Sequence, residues 1–136
     1  MIRIQSRLKV SEINGIGLFA DEIIPKGTLV WAFDPGFDPV FSLDAVRARA
    51  AIDPLFAAYA ARYSYEEKRS PGLITFNLDD SRFMNDSPNP SLYVDEQGRS
   101  FAARDLQVGD ELTNRYEDFL LDSDVALAIR WRKRED

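Results

Sequence analysis

Three short segments carry residues that could do chemistry, and they lie far apart in the chain. Residues 15–20 read Gly-Ile-Gly-Leu-Phe-Ala, residues 82–90 read Arg-Phe-Met-Asn-Asp-Ser-Pro-Asn-Pro, and residues 109–116 read Gly-Asp-Glu-Leu-Thr-Asn-Arg-Tyr. The chain contains no histidine and no cysteine. Imidazole acid–base catalysis, the Ser-His-Asp triad and thiolate metal sites are therefore excluded. Any catalysis must use tyrosine, lysine, carboxylates, backbone groups or a bound cofactor.

Each segment also has an ordinary structural interpretation. Paired glycines are common in hairpin turns, and the dinucleotide fingerprint would need a third glycine and a long helix after it. The polar residues 85–90 are typical turn formers, although the apolar residues just before them are not. A tyrosine after a strand is by default a core or interface residue.

Taken in this order, the three segments resemble those of the SET-domain family of protein lysine methyltransferases. The family pattern is Gly-x-Gly-hydrophobic-Phe-Ala, then Arg-Phe-hydrophobic-Asn-His-Ser-x-x-Pro-Asn, then Gly-Glu-Glu-Leu-Thr-x-x-Tyr. The resemblance covers residues 12–119. Two departures stand out: Asp86 occupies the position where the family usually has histidine, and residues 88–90 replace the usual Pro-Asn ending.

The resemblance implies that the chain binds S-adenosylmethionine. The backbone of Ile16, Gly17 and Leu18 would line the cofactor site, where bare glycine backbone can approach a ligand closely. Asn85 would bind the methionine moiety of the cofactor. Asp86 would contact the adenine mainly through backbone atoms, so that its side chain would matter little.

Further site residues follow from the same resemblance. Tyr116 would be the catalytic residue that orients the target amine. Phe83 would belong to the cofactor site, and Trp131 would stack on the adenine in place of the zinc-bound module of some relatives, which needs cysteines. Phe76 and Tyr65 would line the substrate channel, although aromatic residues of this kind are more often core residues.

The implied activity suits a chain without histidine, cysteine or a metal site. Methyl transfer from a sulfonium to a lysine ε-amine is a direct displacement in which the cofactor supplies the reactive group and the protein supplies placement. A free lysine has a pKa of about 10.4, and burial beside a cation lowers it. The proton would leave to water.

Two other functions remain open. A SET-like module without catalysis could bind a protein partner and possibly the cofactor, with Asp86 as the sign of its divergence. A metal-dependent hydrolase could use Asp79, Asp80 and Asp86, but these carboxylates lie among turn residues and no supporting residues are evident. Asn85 and Tyr116 together favour the enzyme.

Composition limits the protein class. With 136 residues, 45% of them hydrophobic, the sequence predicts one domain over residues 1–136. The start has no signal-peptide pattern and no long apolar run follows, so we expect a soluble, cytoplasmic protein that does not enter a membrane. The net charge of −6 disfavours nucleic-acid binding and is compatible with a protein substrate that carries the target lysine.

The elements that must position these residues are mainly β. The sequence predicts a β-clip, SET-like fold, with small sheets of short strands around a C-terminal pseudoknot and a helical insert near residues 43–68. In the insert, Ser42 and Asp53 are expected to cap two helices. The apolar face of the second is expected to consist of Leu55, Tyr59 and Tyr63, with Phe56 and Ala60 beside them. The tail, residues 120–136, has apolar spacing that allows a helix.

Overall fold

Short strands dominate the fold. The computed structural model describes residues 1–121, and within them ten strands and two helices alternate along the chain. The strands are β1 (Ser6–Val10), β2 (Ile16–Ala20), β3 (Leu29–Trp31), β4 (Val40–Ser42), β5 (Ser64–Tyr65), β6 (Leu73–Phe76), β7 (Asn85–Asp86), β8 (Leu92–Val94), β9 (Ser100–Ala102) and β10 (Thr113–Asn114). The helices are α1 (Leu43–Ile52) and α2 (Pro54–Tyr63), and two 3₁₀ turns span Asp80–Phe83 and Tyr116–Asp118.

These strands form four small sheets. β1 and β2 form an antiparallel hairpin, β8 and β9 form a second hairpin to which β3 is added, and β6 lies between β4 and β5. The fourth sheet is parallel: β7 pairs with β10, so that Asn85 lies opposite Thr113 and Asp86 opposite Asn114. The predicted mainly β architecture, with small sheets of short strands, is confirmed, and the parallel pair joins the second and third motif segments.

Two hydrophobic clusters hold the sheets together. The larger cluster includes Leu18, Val30, Met84 and Leu112, each at most 6% exposed. The smaller cluster lies under the helices and contains Val46, Ala60, Ala61, Ile74 and Phe76. The larger cluster therefore contains residues from all three motif segments and fixes their relative positions.

The helical insert forms as its capping residues predict. The Ser42 side chain accepts a hydrogen bond from the Ala45 N–H, and Asp53 accepts from the N–H groups of Leu55 and Phe56. Pro54 occupies the first position of α2, where its missing N–H costs nothing. Neither helix among residues 1–121 has the length and apolar composition that crossing a bilayer requires.

The predicted apolar face of α2 is wrong at its outer edge. Leu55 is 83% exposed and Tyr59 is 42% exposed, whereas Ala60 and Ala61 are buried. Small side chains at the contact let α2 pack closely on its neighbours, so the buried face is centred on the alanines and Phe56. The prediction is therefore correct at Phe56 and Ala60, which pack in the smaller cluster, and wrong at Leu55.

Candidate functional site

The first part of the candidate site lies at the turn between β1 and β2. We call it the turn cluster and define it as Ser11, Asn14, Gly17, Asn85 and Glu111. The Asn85 Nδ2 group donates to Ser11 Oγ and to the Asn14 carbonyl oxygen, both at 3.1 Å. Asn85 Oδ1 accepts no hydrogen bond within residues 1–121. The first and second motif segments therefore meet here, with one amide acceptor left for a ligand.

Glu111 brings the third motif segment to the same place. It forms a β-bridge with Phe19, and the next residue, Leu112, donates its N–H to the Leu18 carbonyl oxygen at 2.7 Å. A Cβ atom at Gly17 would lie 2.4 Å from Glu111 Oε1, so only glycine leaves room for this carboxylate in its present position. The close approach explains the second glycine of the Gly-x-Gly pair.

The Glu111 carboxylate is incompletely satisfied. Its Oε2 atom is buried and has no hydrogen-bond partner in the described part of the chain. Buried polar atoms are nearly always paired, and an unpaired carboxylate oxygen favours a cationic or hydrogen-bond-donating ligand. The turn cluster therefore presents two acceptors, on Asn85 and Glu111, beside bare glycine backbone.

Residues 84–86 hold Tyr116 from two directions. The Tyr116 hydroxyl donates to the Met84 carbonyl oxygen, and the Tyr116 N–H donates to Asp86 Oδ1 at 2.7 Å. The Ser87 N–H donates to the Asn114 carbonyl oxygen at 2.9 Å, which extends the β7–β10 ladder. Tyr116 is thus positioned by the segment that also carries Asn85.

The environment of Tyr116 keeps its phenol protonated. Burial, aided by the nearby Asp86 carboxylate, raises the pKa of Tyr116 to about 12. At neutral pH the hydroxyl can donate one hydrogen bond and accept others, but it is not a base. A role in orienting a substrate fits this state, and proton abstraction does not.

The second part of the candidate site is a cavity beside Tyr116, with a volume of about 80 Å³. Its aromatic lining consists of Trp31, Tyr63, Tyr65, Tyr116 and Phe119. The Phe119 ring meets both Tyr65 and Tyr116 edge-on, at centroid distances of 6.4 and 6.1 Å. We call this space the aromatic cavity; its aromatic rings suit a slender chain with an apolar stem.

Polar and charged side chains also line the aromatic cavity, and several of their polar atoms are buried. The Tyr65 hydroxyl donates to Asn77 Oδ1 at 3.1 Å. Burial raises the pKa of Tyr65 well above its ordinary value, and the Glu67 and Asp38 carboxylates add to the effect. Trp31 Nε1 and Asn114 Oδ1 have no hydrogen-bond partner within residues 1–121, although both residues line the cavity. A donor and an acceptor are therefore available there.

The structure places the cofactor-site candidates in different surroundings. Gly17 and Asn85 lie together in the turn cluster. Leu18 is fully buried in the larger hydrophobic cluster, while the side chain of Ile16 is about half exposed at the start of β2. Phe83 packs edge-on against Tyr63, with centroids 5.9 Å apart.

The remaining candidates are those for the catalytic residue and the substrate channel, together with Trp131. Tyr65 and Tyr116 both line the aromatic cavity. Phe76 is not among the described residues that line it: its ring packs against Phe41 and Tyr59 in the smaller hydrophobic cluster. Trp131 lies outside the described residues.

The three aspartates considered for a metal-dependent hydrolase are engaged separately. Asp79 accepts hydrogen bonds from the Ile2 N–H and from Ser81, and Asp86 accepts from Tyr116. Asp80 is exposed in the first 3₁₀ turn. No three acidic side chains among residues 1–121 converge on a common point that could hold a metal ion.

Sequence reasoning missed three contributors to the site. Glu111 was noted only as part of a motif, and Ser11 and Asn77 were not considered. The glycine at position 17 was the available signal for Glu111, since a residue without a side chain often marks a close approach. Nothing in the local pattern around Ser11 or Asn77 indicates a partner, because each contacts a residue distant in sequence.

Comparison with known proteins gives one family and one fold. A family model described as "SET domain" matches residues 15–117. Three similar solved structures contain the Polycomb Repressive Complex 2 of Chaetomium thermophilum, ctPRC2. No curated protein sequence matches the chain.

The three structural alignments have similar TM-scores and sequence identities. An autoinhibited ctPRC2 bound to S-adenosylmethionine aligns with a TM-score of 0.67 at 21% identity, over 96% of this chain and 17% of that chain. Apo ctPRC2 with two mutations in Ezh2 aligns with a TM-score of 0.67 at 20% identity, over 96% of this chain and 16% of that chain. For ctPRC2 bound to GSK126 the TM-score is 0.66 at 19% identity, over 88% of this chain and 16% of that chain. The chain thus spans about a sixth of each matched chain, and at these identities the likeness is one of fold.

Proposed function

The chain belongs to the SET-domain family, and we propose that it transfers a methyl group from S-adenosylmethionine to a lysine ε-amine of a protein. One observation carries this proposal. All three motif segments contribute to one cluster, in which Gly17, Asn85 and Glu111 are in contact or hydrogen-bonded through a shared turn, and in which two acceptor oxygens have no partner among residues 1–121.

The turn cluster fits the chemistry of the proposed cofactor. S-adenosylmethionine, when bound, supplies a methyl group activated on a sulfonium, and it also carries an ammonium group. The buried Oε2 of Glu111 and the Oδ1 of Asn85, neither of which has a partner within residues 1–121, are acceptors suited to a cationic, donating ligand. The glycine backbone at residue 17 leaves space for close approach. A ctPRC2 structure of the same fold is bound to S-adenosylmethionine, which supports the assignment.

The aromatic cavity fits the lysine side chain. Four methylenes suit an aromatic lining, and an amine at the inner end would meet the hydroxyl of Tyr116. Desolvation in such a cavity lowers the pKa of the amine and so exposes the lone pair that displacement needs. Tyr116 holds the neutral amine in place through its oxygen, because its raised pKa keeps the phenol from ionising. The amine proton leaves to water.

The proposed cofactor and amine sites lie on two sides of residues 84–86. Asn85 turns its amide towards the turn cluster, while the Met84 carbonyl oxygen accepts from Tyr116, which lines the aromatic cavity. The same short segment thus contributes to both proposed sites. Holding both reactants against one rigid segment is the placement that methyl transfer requires.

Calorimetry with S-adenosylmethionine in the presence of EDTA tests the first half of the proposal. We expect binding without added metal, and a stabilisation of about 2.7 kcal/mol at a cofactor concentration ~100 times the dissociation constant. No heat of binding at millimolar cofactor, from protein verified as folded by circular dichroism, would reject the proposal.

A transfer assay tests the second half. Protein mixtures are incubated with cofactor that carries a labelled methyl group, and labelled amino acids are identified after hydrolysis. We expect label on the lysine ε-amine. Tight cofactor binding without transfer to any protein or lysine peptide would instead support a non-catalytic SET-like module that binds a partner.

A further inference from the structure

Asp86 makes a contact that the family resemblance did not indicate. Its Oδ1 atom accepts the N–H of Tyr116 at 2.7 Å, across 30 residues of sequence. The family usually has histidine at this position, and the resemblance assigned the residue to the adenine through backbone atoms. The structure instead directs its carboxylate to the backbone of the candidate catalytic tyrosine.

The Tyr116 N–H depends on Asp86 for local reasons. Tyr116 is the first residue of the 3₁₀ turn Tyr116–Asp118, and the first N–H groups of such a turn have no acceptor inside it. The preceding residue usually caps the turn with a side-chain oxygen, but Arg115 has no acceptor atom and makes no such bond. The Asp86 carboxylate caps the turn from the neighbouring strand.

The β7–β10 ladder brings the two residues together. Its last pair joins Asp86 to Asn114, two residues before Tyr116. Beyond this pair the Asp86 side chain continues the ladder by one hydrogen bond. Tyr116 is therefore held at its backbone by Asp86 and at its hydroxyl by Met84. Two attachments, at opposite ends of the residue, fix the position and direction of the phenol.

We infer that Asp86 is the positioning residue for Tyr116: its carboxylate caps the turn that carries the phenol and aims the hydroxyl into the aromatic cavity. This inference rests on the proposed function for its catalytic consequence, but the positioning itself can be measured without any activity. It also gives a task to the Asp86 side chain, which the family resemblance implied would matter little.

Amide hydrogen exchange tests the positioning directly. The variants are Asp86→Ala, which removes the acceptor, and Asp86→Asn, which keeps an Oδ1 acceptor without the charge. Asp105→Ala is the matched control, because Asp105 Oδ1 accepts the Lys26 N–H at 2.8 Å on an exposed surface distant in sequence from Tyr116. We expect exchange at Tyr116 to accelerate about fivefold or more in Asp86→Ala, a typical effect of one lost hydrogen bond. It should change little in Asp86→Asn and not at all in Asp105→Ala.

Transfer kinetics test the consequence. At saturating cofactor and substrate, Asp86→Ala should lower the transfer rate about ten- to a hundredfold, because a misplaced group loses the reactive geometry. Asp86→Asn should recover most of the rate. The dissociation constant for S-adenosylmethionine should stay within about twofold in both variants, since neither changes the turn cluster.

The outcomes separate this inference from the proposed function. Unchanged exchange at Tyr116 in Asp86→Ala overturns the positioning role whatever the activity. A loss of cofactor affinity larger than the loss of rate overturns it as well, because the carboxylate would then be a cofactor ligand. If the wild-type protein transfers no methyl group, the proposed function fails and the exchange result alone decides the role of Asp86.

Discussion

The turn cluster and the aromatic cavity differ in how the chain builds them. Ser11 and Asn14 apart, the turn cluster takes its residues from the three motif segments, and its chemistry is that of polar acceptors beside glycine backbone. The aromatic cavity also draws on β3, β5, the end of α2 and the loop after β6, and aromatic rings line it together with polar and charged side chains. The difference teaches that short motifs mark the place where the cofactor is proposed to bind, while the proposed amine site is assembled from residues with no common pattern.

The comparison predicts that changes in the two regions affect different quantities. Variants of the turn cluster should change cofactor affinity, and variants of the aromatic cavity should change the transfer rate or the affinity for the amine substrate. Residues 84–86 and 111–116 contribute to both regions, so effects should cross between the regions mainly through these two segments.

The largest effect is expected for Tyr116→Phe. Loss of the hydroxyl leaves the amine without its orienting partner, and we expect a fall of about a hundredfold in transfer rate. The cofactor dissociation constant should be unchanged. Labelled-methyl transfer and calorimetry on the same preparations measure both quantities. Tyr93→Phe is the control, because Tyr93 is half exposed and stacks on Phe101 away from the cavity. Equal transfer by Tyr116→Phe and wild type would remove Tyr116 from the mechanism.

Asn85→Ala should have the next largest effect, and the affected quantity should be the affinity for the cofactor. The variant loses the Oδ1 acceptor and both hydrogen bonds to the turn, which are at Ser11 and Asn14. A loss of about 1–3 kcal/mol corresponds to a roughly 5- to 150-fold weaker cofactor complex. The transfer rate at saturating cofactor should fall far less. A normal dissociation constant in a folded Asn85→Ala protein would contradict the assignment of the turn cluster.

Asn77→Ala tests the aromatic cavity in the way that Asn85→Ala tests the turn cluster. It removes the acceptor of the Tyr65 hydroxyl, which is 3.1 Å away, and leaves that buried group unpaired. We expect the KM for a lysine substrate to rise about threefold to tenfold, as one lost hydrogen bond allows. The cofactor dissociation constant should match that of wild type. A larger effect on cofactor than on substrate would mean that the two regions are not separate.

The smallest expected effect is on how the transfer rate and the stability depend on pH. With its pKa raised to about 12 from 10.0, Tyr116 should remain a phenol across the working range, and its ionisation should not lower transfer below about pH 11. Between pH 10 and 12 the unfolded chain loses this proton first, so the tyrosine binds more protons when folded and stability falls as pH rises. Ultraviolet titration of wild type beside Tyr116→Phe identifies the step. A tyrosine step at pH 10 that disappears in the variant would show an unshifted Tyr116.

Much of this arrangement could be predicted from sequence because it depends on local chemistry. Ser42, Asp53 and Pro54 determine where the helices begin. The motif segments indicated the family, which the match over residues 15–117 shows. Each of these signals is contained in a few adjacent residues.

Contacts between distant residues could not be predicted in the same way. Strand β4 is mostly exposed and is defined by its pairing with β6, so its own residues carry no alternating pattern. The burial of Phe76 beside α2 and the exposure of Leu55 depend on how the helices pack, which large apolar residues alone did not indicate. The bond from Tyr116 to Asp86 depends on the β7–β10 register, which no residue of either strand specifies by itself.

A crystal structure with S-adenosylhomocysteine, the demethylated form of the proposed cofactor, tests the separation of the two regions most directly. The account predicts a ligand at the turn cluster, within hydrogen-bond distance of Asn85 Oδ1 or Glu111 Oε2, with the aromatic cavity still open beside Tyr116. A ligand inside the aromatic cavity, or one bound without any contact to Gly17, Asn85 or Glu111, would contradict it.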